Sequence, residues 1–374
     1  MNFDRQSRVP LYMQLKDLII KKIQLGEYKP GSMVRTEHEL CEEYGISRYP
    51  VRQALGDLAD EGYIIRVRGR GTFVNTELPD VKNMKISTCA NNRILGLILP
   101  HPLEGVNKTI LIGFEKQARE RNYIVTTTFT LDCPDEELEC IERLIEANVT
   151  SIFVFPVNES RLSEKIDSYQ KNNIYIGILD RNPGIEEIDY VGSDNFGGAY
   201  MAVKHVAFEG FNKMVFLTYS TQLSSIKERI EGYRMGVNEY NLKSLGEINI
   251  ESNVTGIEIP DAIKNKFIDV IHSLKEHIPF AVVAVNDTTA IHCIRAIQRQ
   301  GLIVGKDVAV IGFDNHYEGV LIDPPLTTVE QNGRLIGQTA ADIMIDKTEG
   351  KIKQIHKTIL PTQLIIRESC GERL

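Results

Sequence analysis

The sequence predicts an α/β protein in two parts, a small N-terminal head of helices closed by a hairpin and a larger two-lobed body of parallel sheets. Three observations lead there. In the first 76 residues, helical periodicity gives way to two β-rich runs around glycines. Over roughly the last 280 residues, seven near-continuous apolar runs alternate with amphipathic helical runs, the pattern of parallel sheets covered on both faces. Between the two, "NTELPDVKNMKISTCANN" holds no long apolar period and reads as a linker. At 374 residues the chain exceeds the usual size of one core. The predicted boundaries are 1–76 for the head, 77–92 for the linker and 93–370 for the body.

The head opens with "PLYMQLKDLIIKKIQLG", where Leu11, Leu15, Leu18, Ile19 and Ile23 fall at helical spacing and Gly26 ends the run. "YKPGS" is a turn. Thr36 and Glu39 then form a T-x-x-E capping box that starts a short helix through Tyr44. Gly45 breaks it, and Ser47 caps a third helix whose buried stripe is Val51, Ala54, Leu55 and Leu58. Pro50 sits in the first turn of that helix, where a missing N–H does little harm. Gly62 ends the helix, and "YIIRVRGRGTFVN" supplies two strands around Gly69 and Gly71. Three helices and a two-stranded wing make a winged helix-turn-helix.

The strands predicted for the body are "ILGLILP", "YIVTTTF", "SIFVFP", "YIGILD", "MVFLTY", "AVVAVN" and "VAVIGFD". Helices are predicted near 107–121, 135–147, 160–173, 195–209, 224–240, 260–276 and 287–300. So many strands imply two lobes.

Charge is unevenly divided. The chain carries −8 overall, yet residues 1–76 hold twelve Lys and Arg against ten Asp and Glu, whereas the remainder holds 31 against 41. A mildly basic head on an acidic body fits a head that meets a polyanion. Five arginines crowd Ile46–Val74. Ser47, Arg48, Tyr49 and Arg52 would face outward from the third helix, opposite its apolar stripe, at the place where such a helix meets base edges in a major groove. Arginine suits this place because its fork gives two hydrogen bonds to guanine or phosphate. In the wing, Arg68, Gly69 and Arg70 combine charge with a backbone free to approach the sugar-phosphate surface.

Ligands of parallel α/β folds bind at the carboxyl ends of strands. There the sequence places Asp180-Arg181-Asn182, Asn286-Asp287 and Asp314-Asn315, while Arg229 lies early in a helix and Gln331 follows "PPLTTVE". Such donors and acceptors suit a polyhydroxylated ligand; helix capping is the other role open to an Asp or Asn after a strand. Enzyme signatures are missing: there is no G-x-S-x-G elbow, Walker loop or strand-to-helix G-x-G-x-x-G. The acidic run "DEELECIE" reads as a solvated helix start. Six scattered cysteines without C-x-x-C or zinc spacing read as reduced thiols, and no metal or other cofactor is expected. No apolar run approaches the ~20 residues of a membrane span, and "MNFDRQSRVPLYMQ" lacks a signal core, so a cytoplasmic protein is expected.

"RTEHELCEEYGISRYPVRQAL" and "EGYIIRVRGRGTFV" make the head similar to the DNA-binding domain of the GntR family of bacterial repressors. That resemblance implies DNA contacts at Arg35 and Glu37 as well as at Ser47, Arg48, Arg52 and the Arg68-Gly69 wing tip. The chain departs from the family at Val34-Arg35-Thr36-Glu37, where Leu-Pro-Ser-Glu is usual, and at Pro50, where Thr is common. "IDYVGSDNFGGAYMAVKHVAFEGFNKMVFL", "AVVAVNDTTAIHCIRAIQRQGLIVGKDVAVIGFDN" and "PPLTTVEQNGRLIGQTAADIM" resemble the sugar-sensing domain of LacI/GalR repressors. This likeness implies two lobes closing on a ligand about a hinge crossed three times. It also implies ligand contacts at Asp180, Arg229, Asn286, Asp314 and Gln331, with His101 and Asn107 in the first lobe. A GntR-type head on a LacI-type body resembles the bacterial arabinose repressors. The resemblance implies a homodimer on a double-stranded operator, with a small sugar, L-arabinose first, as effector.

Overall fold

In the computed structural model, residues 11–24, 26–60, 62–67, 70–76, 93–102, 105–157, 159–182, 184–219, 223–250 and 259–371 are described. The chain divides into two compact units, Met1–Asn92 and Arg93–Leu374. The expected linker, 77–92, lies outside the described residues.

In the first unit, α1 (Leu11–Gln24), α2 (Glu37–Tyr44) and α3 (Arg48–Asp60) precede β1 (Ile64–Val67) and β2 (Gly71–Val74). The strands pair antiparallel, with Ile64 opposite Val74 and Val67 opposite Gly71. Leu15, Ile19 and Ile23 of α1 meet Val51, Ala54, Leu55 and Leu58 of α3 in one core, closed by Ile64 and Val74 of the wing. Leu18, expected in that stripe, is only half-buried and stands outside the core. Both local signals at α2 hold. Thr36 and Glu39 form the reciprocal capping box, and Gly45 ends the helix at φ 62°, a left-handed conformation that glycine adopts without a Cβ penalty.

The second unit contains two six-stranded sheets. One is ordered β13-β7-β6-β5-β3-β4 and the other β14-β12-β11-β10-β8-β9. The first comprises β3 (Ile94–Leu99), β4 (Ile124–Phe129), β5 (Ser151–Val154), β6 (Tyr175–Leu179), β7 (Asp189–Ser193) and β13 (Lys357–Leu360). The second comprises β8 (Lys213–Thr218), β9 (Lys243–Asn249), β10 (Phe280–Ala284), β11 (Val308–Phe313), β12 (Thr327–Glu330) and β14 (Gln363–Ile365). Every neighbouring pair is parallel except β12 with β14. All seven expected strands and seven expected helices are present. The strands β7, β9, β12, β13 and β14 and the helix Gly333–Thr348 were not expected. β9 and β14 are sheet edges and β13 is another, so none of them carries a continuous apolar run.

The chain passes from the first sheet to the second after Ser193, returns after Glu330 and leaves again after Leu360. These crossings are bonded to one another. Ser193 donates its hydroxyl to the Gln331 carbonyl at 3.2 Å, the Asp194 N–H reaches the Leu360 carbonyl at 2.9 Å, and the Thr362 hydroxyl reaches the Asp194 carbonyl at 3.3 Å. Three adjacent crossings are the geometry of a hinge between lobes.

The acidic run at Asp135, Glu136 and Glu137 does open a helix, Pro134–Glu146, but it is not wholly solvated. Glu137 is buried and accepts the Val157 N–H, because its position in the first turn faces the sheet. Among the described cysteines none is disulfide-bonded, and Cys140, Cys293 and Cys370 are buried.

The helix Gly333–Thr348 returns to the first lobe and packs on the helix Gly105–Glu120 through glycine. A Cβ on Gly337 would stand 2.0 Å from the Ile110 carbonyl oxygen. Because that neighbour is helix backbone, it cannot rotate away. Gly337→Val is therefore expected to cost about 1–3 kcal/mol of stability, read as a lower urea midpoint for the full chain; an unchanged midpoint would contradict this packing.

Candidate ligand cavity and nucleic-acid interface

The strand orders place a topological switch between β3 and β5 in one sheet and between β8 and β10 in the other. A cavity lies at these carboxyl ends. The first lobe contributes Asn107, Asp132 after β4, Phe155 after β5, and Asp180 and Arg181 after β6. Tyr219 after β8, Arg229, Asn286 after β10 and Asp314 and His316 after β11 come from the second lobe, and Gln331 comes from a crossing. Six of the seven expected residues thus share one cavity. His101 does not line it. Its Nε2 lies 3.0 Å from the Asp132 carboxylate, so it holds a lining residue rather than facing the interior.

Arg229 is the most constrained group. Only 6% exposed, it donates from Nε to Asn195 Oδ1 at 2.9 Å and from Nη1 to the Val285 carbonyl at 2.7 Å. Its Nη2 stands 3.4 Å from Asp314 Oδ1, and the guanidinium lies 3.7 Å over the Phe313 ring. Gln331 Nε2 also donates to Asp314 Oδ1. Phe313 is thereby covered, leaving Phe155 and Tyr219 as the aromatic walls. Arg181 donates to the Pro156 carbonyl at 2.7 Å, with its guanidinium 4.8 Å from the Phe155 ring centre.

Burial pushes the Tyr219 phenol above its ordinary pKa, against the opposing pull of Arg181 and Arg229. It stays protonated and keeps a donor. Asn286 does two things at once: its Oδ1 caps the helix Asp287–Arg299 by accepting the Thr289 N–H at 2.9 Å, and it lines the cavity. Two other acceptors stand without a hydrogen-bond partner among the described residues. Asn107 Oδ1 and Gln331 Oε1 are both buried there. Each such atom costs about 1–3 kcal/mol until a donor reaches it.

Arg181, read with Asp180 at its strand end, also lines the cavity, whereas Asp132, Tyr219 and His316 were missed. His316 lies two residues past Asp314, so the strand-end rule extended by two residues would have found it. Tyr219 ends a predicted strand as an aromatic rather than an obvious polar group, and Asp132 sits in a loop with no local motif. Among the described residues, no group of three or more His, Cys, Asp or Glu side chains is placed to hold a metal ion.

On the head, Ser47 just before α3 and Arg48, Tyr49 and Arg52 on it are exposed, and Tyr49 is 77% exposed. Arg52 Nε lies 3.9 Å from Glu37, so α2 aims the arginine across the turn. Arg35 is ion-paired with Glu43, next to Lys22 at 3.6 Å from the same carboxylate. Arg70 is exposed, and its N–H closes the wing on the Val67 carbonyl at 3.0 Å. Arg68 and Gly69 lie outside the described residues.

Comparison with known proteins accords with this division. Residues 11–74 match bacterial regulatory proteins of the gntR family, and residues 203–370 match the periplasmic binding protein-like domain. An arabinose metabolism transcriptional repressor of Geobacillus stearothermophilus is 26% identical, covering 98% of this chain and 100% of its own. Its counterpart in Halalkalibacterium halodurans is 27% identical, covering 96% of each chain. Among solved structures, a LacI family transcriptional regulator of Enterococcus faecium with bound ribose superposes with a TM-score of 0.63. It is 20% identical and covers 75% of this chain and 99% of its own. The chain therefore joins a head that matches gntR-family bacterial regulatory proteins to a body that matches the periplasmic binding protein-like domain and shares the fold of LacI-family regulators.

Proposed function

We propose that the chain is a sugar-responsive repressor, whose homodimer holds a near-palindromic operator through two heads and releases it when a small uncharged sugar fills the cavity. The cavity carries this reading. It lies at the carboxyl ends of both sheets and offers buried acceptors, Asn107 Oδ1 and Gln331 Oε1, that a sugar hydroxyl would satisfy. Its carboxylates (Asp132, Asp180, Asp314) outnumber its guanidiniums (Arg181, Arg229), and Arg229 is already engaged. That balance favours a neutral polyol over a sugar phosphate. The two relatives named for arabinose metabolism make L-arabinose the first candidate, and the ribose-bound neighbour supports a pentose.

Contacts from both lobes give the ligand unequal affinity for open and closed bodies, as any allosteric signal requires. A coupling of about 1–3 kcal/mol would loosen operator binding about 5- to 150-fold.

Calorimetric titration with a panel of pentoses and hexoses tests the reading. Saturable binding of one sugar per chain, without turnover, is expected; failure of every free sugar to bind would remove the sugar assignment and leave the head's role standing. Operator retention in the presence of that sugar would make it a corepressor instead. Arg52→Ala is expected to weaken operator binding at least about tenfold with sugar affinity unchanged. Arg229→Lys keeps the charge but loses the fork, and sugar affinity should fall while operator binding without sugar persists. Normal sugar response in that variant would take Arg229 out of the site.

A further inference from the structure

Beneath the cavity lies a carboxylate that does not line it. Asp287, the first residue of the helix Asp287–Arg299, is fully buried. Its Oδ2 accepts the His316 N–H at 2.7 Å, and its Oδ1 accepts the Thr328 hydroxyl at 2.5 Å. Thr328 Oγ1 in turn accepts the Asn315 N–H at 3.3 Å, while the Asp314 N–H reaches the Val329 carbonyl at 2.7 Å. All three N–H groups of the turn 314–316 are thus held, two of them directly or indirectly by one carboxylate.

The turn needs this hold. Asp314 has φ 108° and Asn315 φ 52°, left-handed conformations that persist in non-glycine residues only where the surroundings over-determine them. Gly312 makes room, since a Cβ there would stand 2.0 Å from Asp287 Oδ1. The same turn delivers Asp314 to Gln331 and Arg229, and His316 to the cavity wall.

We propose that Asp287 is a positioning residue for the effector, its carboxylate fixing the 314–316 turn without touching the ligand. This rests on reading the cavity as the sugar site.

Burial raises the Asp287 carboxyl to about 7, opposed by His316 and seconded by Asp314. The titratable and charged groups facing it are Asp314 and His316 on the turn, with Arg229 3.4 Å beyond Asp314. Only the ionised carboxylate accepts from both donors without presenting a proton of its own. Sugar affinity is therefore highest well above pH 7, where the carboxylate is ionised, and falls as pH drops through about 7.

The test is sugar affinity of the full chain by calorimetry between pH 6 and pH 8. Wild type is expected to weaken about tenfold at the lower pH, following the ionised fraction. Asp287→Asn should bind at least about tenfold more weakly at pH 8 and show no step. Thr328→Val should bind more weakly, while Thr328→Ser, which keeps the hydroxyl, should restore wild-type affinity. His316→Gln should retain the step, because the backbone N–H makes the bond. Wild-type affinity and step in Asp287→Asn would overturn the proposal, as would loss of the step in His316→Gln alone. If Asp287→Asn does not fold, the Thr328 pair decides, and equal binding by Val and Ser overturns it. If no sugar binds wild type, the sugar reading has failed separately. The crystal structure of Thr328→Val then decides: a turn displaced so that Asp314 leaves Gln331 upholds the role of Asp287, and an unmoved turn refutes it.

Discussion

The buried ion pair between Arg229 and Asp314 is the constraint on which the body depends. Both partners are nearly out of water, so removing either would leave an uncompensated charge inside. Two of the side chains bonded to this pair come from the places where the chain changes lobe. Asn195 opens the helix after the first crossing, and Gln331 stands in the second. The ion pair thus joins the cavity floor to the hinge.

The cavity also shows where stability has been given up. Among the described residues, Asn107 and Gln331 keep acceptors buried without partners, the 314–316 turn holds two consecutive left-handed non-glycine residues, and Asp287 carries its carboxyl in a dry site. Each is unfavourable alone and tolerable because the surrounding sheets are rigid and apolar. Clustered at one place, they mark it as preorganised for a polar guest. The head works differently. Its ion pairs, Arg35 with Glu43 and Arg52 with Glu37, are at the surface and contribute little to stability.

How much of this was legible beforehand follows from how local each signal is. The capping box at Thr36 and Glu39, the break at Gly45 and the buried stripe Val51, Ala54, Leu55 and Leu58 are contained within a few residues, and all three appear in the fold. The central strands were equally plain, because burial on both faces forces continuous apolar runs. β7, with only two apolar side chains, and the edge strands β9, β13 and β14 were invisible, since pairing with distant segments makes them strands.

The sequence alone determined the division into head and body, the outward arginines of α3, and the polar residues at strand ends, because periodicity, caps and strand termini are properties of contiguous residues. Only tertiary structure decided that Asn107 and Gln331 are left with buried unpaired acceptors and that His101 turns to Asp132 instead of inward. It alone also gathered Asn286 and Asp314 above a buried Asp287. These outcomes depend on segments separated by tens to hundreds of residues, and burial and hydrogen-bond competition are settled only when the sheets and crossings bring them together.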